Sequence, residues 1–120
     1  MKILVVDDSP TMRRMVLRAI KTSGFKNHDI VEAGNGVEAL AAVAESKPDV
    51  IISDWNMPEM DGLEFLKELR KSGNNTKFGF ITTEGTDDVK SEAAVSGASF
   101  FIEKPFTVDS IEHALGSVLG

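Results

Sequence analysis

The chain of 120 residues has no cysteine, and this absence excludes several kinds of chemistry. A protein without thiols has no disulfide framework, no thiol nucleophile and no thiolate metal site. Long apolar runs are also missing near the start, where the four apolar residues after Lys2 are too few for a signal peptide. We therefore expect a cytoplasmic protein with no membrane partner.

Basic side chains are scarce relative to acidic ones. The sequence contains 13 lysine and arginine residues against 19 aspartate and glutamate residues, and its formal net charge is −6. Proteins that bind the phosphate backbone of nucleic acids need a basic surface, so we expect no nucleic-acid partner. The length and an apolar content of 42% suit one domain with one core. We expect this domain to span residues 1–120, with no separate output domain.

Short apolar runs alternate with segments of helical spacing along the chain. The runs are rich in β-branched or aromatic residues and lie at 3–6, 29–32, 50–53, 78–82 and 99–102. Each run is followed by a segment with helical spacing, which predicts five strands and five helices. Apolar strands that alternate with helices predict an α/β fold, in which helices cover both faces of a parallel sheet.

The first helix has the clearest boundaries. Asp8 or Ser9 can cap it, Pro10 suits its first position, and Gly24 ends it. Its basic residues, Arg13, Arg14, Arg18 and Lys21, are predicted to face outward. The predicted apolar faces of the five helices are, in chain order, Met12, Met15, Val16, Ala19 and Ile20; Val37, Leu40, Ala41 and Ala44; Leu63, Leu66 and Leu69; Val89, Ala93 and Ala94; and Val108, Ile111, Leu115, Val118 and Leu119.

Polar residues that could carry chemistry follow the predicted strands, and parallel sheets bind ligands at the carboxyl ends of their strands. These residues are Asp7 and Asp8 after the first strand, Asp54 after the third, Thr82 and Thr83 after the fourth, and Lys104 after the fifth. Three neighbouring carboxylates repel one another unless a cation is present. Mg²⁺ prefers carboxylate and phosphate oxygens as ligands, so the three aspartates suit this ion.

The same residues suit phosphoryl chemistry. An aspartate can attack phosphorus to form an aspartyl phosphate, while a metal, a lysine and a hydroxyl group neutralise charge on the phosphoryl oxygens. Asp54, Lys104 and Thr82 supply these groups. Helix capping is a competing explanation for Asp7 and Asp8, but it leaves the convergence of Asp7 with Asp54 and Lys104 without a cause. Asp61 is assigned to turn formation alone.

These residues, in this order, resemble the receiver domain of two-component response regulators. The motifs that carry the resemblance are Asp7-Asp8, Asp54 with Met57-Pro58 and Asp61-Gly62, Thr82, and Lys104-Pro105-Phe106. The resemblance covers the whole chain and is strongest to the single-domain chemotaxis regulators. It implies a flavodoxin-like, doubly wound five-stranded parallel sheet of order 2-1-3-4-5 with five helices.

The resemblance also implies roles at the phosphorylation site. Asp54 would be the phosphoacceptor, and Asp7 and Asp8 would hold Mg²⁺ directly or through water. The backbone carbonyl of Asn56 would be a further metal ligand. Lys104 and Thr82 would bind the phosphoryl oxygens.

A switch in the family involves the threonine and an aromatic residue on the fifth strand. Thr82 and Phe101 stand at these positions. The chemotaxis members have a tyrosine where this chain has Phe101, so a hydroxyl group that could form hydrogen bonds is missing. Asn56, Thr83 and Glu84 flank the site and are assigned to tuning the lifetime of the phosphoryl group.

The implied partners are proteins. A sensor histidine kinase, of the chemotaxis type, would supply the phosphoryl group from a phosphohistidine. A downstream protein would bind the face formed by the fourth helix, the fifth strand and the fifth helix. Two candidates are a flagellar switch protein and a histidine phosphotransfer protein.

The fourth helix bears on the choice between these partners. Residues 84–92 contain four acids and one lysine, which matches an acidic motor peptide poorly. We therefore hypothesise a partner other than the flagellar motor target. The alternative explanation is that Asp87 and Asp88 only stabilise the positive end of the helix dipole.

Other functional classes fit the residues less well. A phosphatase of the haloacid dehalogenase type would require a second aspartate where Asn56 stands, so we expect no enzyme beyond self-phosphorylation and slow hydrolysis. A flavodoxin would require a phosphate-binding loop after the first strand, where Asp7 and Asp8 would repel phosphate. A relay intermediate or phosphate sink stays open as an alternative. His28 and His113 are isolated in sequence and receive no chemical role.

Overall fold

A computed structural model of the chain describes residues 2–23 and 29–119. Five strands and five helices alternate within these ranges. They are β1 (Lys2–Val6), α1 (Pro10–Thr22), β2 (Asp29–Ala33), α2 (Gly36–Ser46), β3 (Val50–Ser53), α3 (Gly62–Lys71), β4 (Lys77–Thr82), α4 (Asp87–Val95), β5 (Phe100–Glu103) and α5 (Val108–Leu119). None of the described helices combines the length and apolar character needed to cross a bilayer.

The strands form one parallel sheet of order β2-β1-β3-β4-β5, which confirms the predicted fold. The registers align the strand ends, since Val6 lies opposite both Ala33 and Ser53. Ser53 in turn lies opposite Phe80, and Thr82 lies opposite Glu103. The residues that follow β1, β3, β4 and β5 therefore emerge at one edge of the sheet.

The sheet separates two apolar clusters because successive side chains of a strand point to opposite faces. One face buries Ile3, Val5 and Ile52 against α1 and α5. The other buries Leu4 and Ile51, together with the aromatic residues of α3 and β4, Phe65, Phe78 and Phe80. Both faces of the strands are covered, which explains their continuous apolar sequence.

Capping residues fix the starts of two helices next to the strand ends. Ser9 caps α1, where its hydroxyl oxygen accepts a hydrogen bond from the Met12 amide at 3.2 Å, and Pro10 occupies the first turn as predicted. Asp61 does more than form a turn, because it caps α3. Its carboxylate accepts from the Glu64 amide at 2.8 Å, and Glu64 accepts from the Asp61 amide in return.

The predicted apolar face of α2 was wrong. The helix buries Gly36, Ala39 and Val43, whereas Val37, Ala41 and Ala44 are exposed and Leu40 is half-buried. Close packing against the Met60 segment explains the difference, since a Cβ atom at Gly36 would lie 2.7 Å from Met60 Cγ. The buried face of α2 is therefore the one that carries Gly36.

Smaller corrections concern α1 and α4. Met15 was predicted to face the core, but it is 51% exposed. Arg13 was predicted to face outward, but it is half-buried because it contacts the end of β1. Ala94 is exposed, and Ala93 is the buried residue of α4. Gly24, His28 and the Leu119 side chain lie outside the described part of the structure, and His113 is exposed.

Candidate functional site

Main-chain hydrogen bonds extend the sheet by one residue beyond the strand ends. The Asp7 amide donates to Ala33 O at 3.1 Å, and the Asp54 amide donates to Val6 O at 2.8 Å. The Lys104 amide likewise donates to the carbonyl oxygen of Thr82 at 2.9 Å. The backbone of each of these residues is therefore held by a neighbouring strand.

An ammonium group joins two carboxylates at this edge. Lys104 Nζ lies 3.1 Å from Asp7 Oδ2 and 3.2 Å from Asp54 Oδ2. All three side chains are largely buried, with exposures of 12%, 1% and 12% for Lys104, Asp7 and Asp54. The structure thus brings together the three residues whose convergence the sequence predicted.

The second oxygen of each carboxylate is fixed by the main chain. Asp54 Oδ1 accepts from the Trp55 amide at 2.7 Å, and Asp7 Oδ1 accepts from the Ser9 amide at 2.9 Å. These bonds limit rotation of both carboxylates. The site therefore presents its oxygens in a fixed arrangement.

Asp8 adds a third carboxylate, which is exposed. One oxygen from each of Asp7, Asp8 and Asp54 lies within 4.8 Å of the others. Three carboxylates meet here beside the ammonium group of Lys104, so the cluster suits a divalent cation that prefers oxygen ligands. The donor set fits Mg²⁺.

The pKa of Asp54 is raised above the usual aspartate value. Burial is the largest cause, because it disfavours the charged carboxylate. The Lys104 charge lowers the pKa, the Asp7 charge raises it, and the hydrogen bonds from Trp55 and Lys104 lower it. Desolvation outweighs the stabilising contacts, so ionised Asp54 carries an energetic cost in the folded state.

This cost predicts that Asp54→Asn stabilises the protein at neutral pH. A raised pKa in the folded state contributes stability below the unfolded value of 3.8, and this contribution is lost as pH rises through the folded value. Asparagine cannot ionise and avoids that loss. We expect the free energy of unfolding to rise near pH 7, and this gain to shrink as the pH falls towards 3.8, as measured by urea unfolding.

Asp29→Asn is the control, because Asp29 is an exposed carboxylate at the start of β2. We expect no comparable gain near neutral pH in this variant. Equal unfolding free energies of Asp54→Asn and the parent chain at both pH values would contradict the desolvation argument.

The β4–α4 loop, residues 83–86, borders the site. Thr82 is buried at the end of β4, and its hydroxyl oxygen accepts from the Glu84 amide at 3.2 Å. Asn56 Nδ2 donates to Glu84 Oε1 at 3.0 Å across the opening, while Thr83 is exposed. Asn56 and Glu84 therefore form a contact between the loops that follow β3 and β4.

Aromatic rings connect the site to β5. The Trp55 and Phe80 ring centres are 4.8 Å apart, and those of Phe80 and Phe101 are 6.3 Å apart. Phe101 is half-buried beside α4. The peptide bond between Lys104 and Pro105 is cis.

Sequence reasoning missed Arg13 at this site. Its Nη1 donates to Asp7 O at 2.6 Å, and its Nε donates to Glu32 at 3.0 Å. A usable signal was its position one turn after the Ser9 cap, where a long side chain can reach back to the strand end. Arg13 therefore positions the segment that carries Asp7 and Asp8.

Gly62 is the first residue of α3, and it also contacts the site. Its amide donates to Trp55 O at 2.8 Å. A Cβ atom at this position would lie 2.1 Å from the carbonyl oxygen of Asp54. Glycine therefore allows α3 to begin directly against the main chain of Asp54.

The family model and the related sequences agree on one family. Residues 3–116 match the family model of the response regulator receiver domain. The chain is 42% identical to chemotaxis protein CheY1 of Helicobacter pylori, with 100% of this chain and 98% of that protein covered. It is 41% identical to the chemotaxis protein CheY homolog of Campylobacter jejuni, with 100% and 93% covered.

Solved structures with the same fold include several receiver domains. The chemotaxis response regulator CheY4 of Vibrio cholerae has a TM-score of 0.86 at 37% identity, covering 98% of this chain and 97% of that one. The signal receiver domain of a putative Luxo repressor protein from Vibrio parahaemolyticus has a TM-score of 0.91 at 26% identity, covering 98% and 88%.

Proposed function

Since the chain belongs to the response regulator receiver domain family, we propose that it accepts a phosphoryl group on Asp54 and thereby switches its affinity for a protein partner. The observation that supports this most is the buried contact of Lys104 with both Asp7 and Asp54. A buried lysine between two carboxylates that are fixed by main-chain amides is an arrangement suited to anionic phosphoryl chemistry.

The proposed donor is a phosphohistidine on a sensor kinase of the chemotaxis type. A carboxylate oxygen of Asp54 attacks phosphorus, and the bond between phosphorus and the imidazole nitrogen breaks. The electron pair of that bond stays on the imidazole, which can then take a proton from solvent. Lys104 and the Thr82 hydroxyl are proposed to contact the phosphoryl oxygens and compensate their charge.

Asp7, Asp8 and Asp54 would hold Mg²⁺, with the Asn56 carbonyl as a further ligand. When bound, Mg²⁺ would neutralise charge on the phosphoryl oxygens. Asp7 and Asp54 have fixed orientations, which limits the reorganisation that binding requires. Asn56, Thr83 and Glu84 are proposed to tune the lifetime of the phosphoryl group, because they border the opening of the site.

We propose that Thr82 and Phe101 form the switch and that the partner binds the face of α4, β5 and α5. Chemotaxis is the proposed process, because the relatives named above are chemotaxis proteins. The acidic first half of α4 favours a partner that differs from an acidic motor peptide. The cytoplasm is the proposed compartment, in keeping with the chemotaxis relatives.

A phosphorelay intermediate or phosphate sink is the second candidate. Phe101 favours it, because a phenylalanine in the switch cannot form the hydrogen bond available to a tyrosine. Return of the phosphoryl group from Asp54 to a histidine phosphotransfer protein would distinguish this function from partner binding.

Trp55 provides the direct test of the proposed function. It is the only tryptophan, its amide donates to Asp54, and its ring packs against Phe80. We expect its fluorescence to change on addition of Mg²⁺ and again on addition of beryllofluoride, which mimics a phosphoryl group. The second change should be absent in Asp54→Asn. A folded protein that responds to neither addition would contradict the proposal.

A further inference from the structure

An ion pair connects α4 to β5 above the Phe101 ring. Lys90 Nζ and Glu103 Oε1 are 2.5 Å apart, and the Lys90 ammonium lies 6.0 Å from the centre of the Phe101 ring. The hydrogen bond from Lys90 to Glu103 and the charge of Glu103 raise the pKa of Lys90. Lys90 and Phe101 also line a cavity of about 140 Å³ between the two elements. Through Lys90, the pair joins α4 to β5 beside this cavity.

Glu103 also packs against the β4–α4 loop. A Cβ atom at Gly85 would lie 2.7 Å from Glu103 Cδ and 2.8 Å from Glu103 Oε2. The carboxylate of Glu103 is thus in contact with the loop main chain on one side and with Lys90 on the other. A displacement of the loop at Gly85 therefore changes the surroundings of this carboxylate.

The same loop reaches the phosphorylation site. The Glu84 amide donates to Thr82 Oγ1, and the Glu84 carboxylate accepts from Asn56. Lys104, which contacts Asp54, is the next residue after Glu103, which is the last residue of β5. Glu103 is therefore connected to the site through the loop and through the residue that follows it in the chain.

We propose that the Lys90–Glu103 pair is a latch that holds α4 over Phe101 until Asp54 is phosphorylated. The inference rests on the function proposed above. Phosphoryl oxygens add acceptors next to Thr82 and Lys104, and movement of the loop towards them displaces Glu103 from Lys90. Opening of the latch releases α4 from β5 and changes the face of α4, β5 and α5 that is proposed to bind a partner.

The measurable effect is a change in beryllofluoride affinity, because ligand binding is linked to the equilibrium between the two conformations. A contact that stabilises only the resting conformation opposes binding of a ligand that favours the other conformation. Removal of either member of the pair should therefore raise the affinity for beryllofluoride. Both side chains are partly exposed, so we expect an increase of about twofold and at most about fivefold.

The experiment compares Glu103→Gln and Lys90→Gln in beryllofluoride titrations with saturating Mg²⁺, followed by Trp55 fluorescence. Both variants should bind beryllofluoride more tightly than the parent chain. A direct charge effect on the anion predicts opposite shifts, because one variant loses a negative charge and the other loses a positive charge. The sign of the Lys90→Gln shift thus separates the two explanations.

Glu92→Gln is the matched control. Glu92 is 53% exposed, close to the 54% of Glu103, but it faces Lys67 of α3 at 4.0 Å. Its replacement should leave the affinity unchanged. The exchanged pair Lys90→Glu with Glu103→Lys should return the affinity to that of the parent chain.

Unchanged affinity in both single variants, or shifts of opposite sign, would overturn the latch. A parent chain that gives no beryllofluoride response would instead contradict the phosphoacceptor function, on which the latch depends. The two failures are therefore distinguishable in one set of titrations.

Discussion

Replacement of Asp54 by asparagine is expected to abolish phosphorylation by acetyl phosphate. Asparagine keeps the size of the side chain but removes the nucleophilic carboxylate. An acyl phosphate can form only on a carboxylate. We expect the rate of phosphoryl incorporation to fall by at least about a thousandfold, as for loss of other catalytic nucleophiles. Intact-protein mass spectrometry and a phosphate-affinity gel measure the product.

Two other asparagine variants test the specificity of this result. Asp61→Asn changes a carboxylate outside the site and keeps a residue that caps helices well, so phosphorylation should be retained. Asp7→Asn removes a proposed metal ligand, and its slower phosphorylation should be restored in part by more Mg²⁺. Undiminished labelling of Asp54→Asn would mean that another residue, such as Asp7 or Asp8, is the phosphoacceptor.

Substitution of Gly62 by alanine is expected to change the free energy of unfolding more than Asp54→Asn or Gly116→Ala. The added Cβ atom would lie 2.1 Å from the carbonyl oxygen of Asp54 and 2.9 Å from the Phe80 ring. The oxygen belongs to main chain that is held in the sheet, so the start of α3 must move instead. We expect a loss of about 3 kcal/mol or more in the free energy of unfolding, measured with urea.

Gly116→Ala is a control with the opposite expected sign. Gly116 lies within α5, and a Cβ atom there would have no neighbouring atom within 4 Å. Alanine is the better helix former, so we expect a gain of about 0.5–1 kcal/mol. A Gly62→Ala variant as stable as the parent chain would show that α3 does not begin against Asp54 as described.

The sequence was sufficient to predict the strands and the sheet edge at which they end. Both predictions rest on local signals, namely the apolar runs and the polar residues that follow them. Asp7, Asp54 and Lys104 could be grouped on this basis. The order of the strands required the family resemblance, since a run such as 50–53 does not specify its neighbours. Strand pairing depends on contacts between residues that are distant in sequence, and the hydrophobic periodicity of a segment gives no information about them.

Other features depended on packing. The buried face of α2 could not be predicted from Ala39, Ala41 and Ala44, because identical residues do not indicate which side of the helix packs against the core. The Gly36 contact with Met60 decides it. Likewise, the ion pair of Lys90 with Glu103 joins two elements, and neither residue reveals its partner in the sequence. When a side chain has several possible partners, only the tertiary structure shows which one it contacts.

The position of Lys104 has a consequence for the protein before any signal arrives. Its ammonium group serves as a resident counter-ion for Asp7 and Asp54, so the repulsion between these carboxylates is already reduced without a metal. The folded chain can therefore persist when Mg²⁺ is scarce. Under the proposed role of Mg²⁺, changes in the supply of the ion would then alter how readily Asp54 is phosphorylated rather than whether the chain folds.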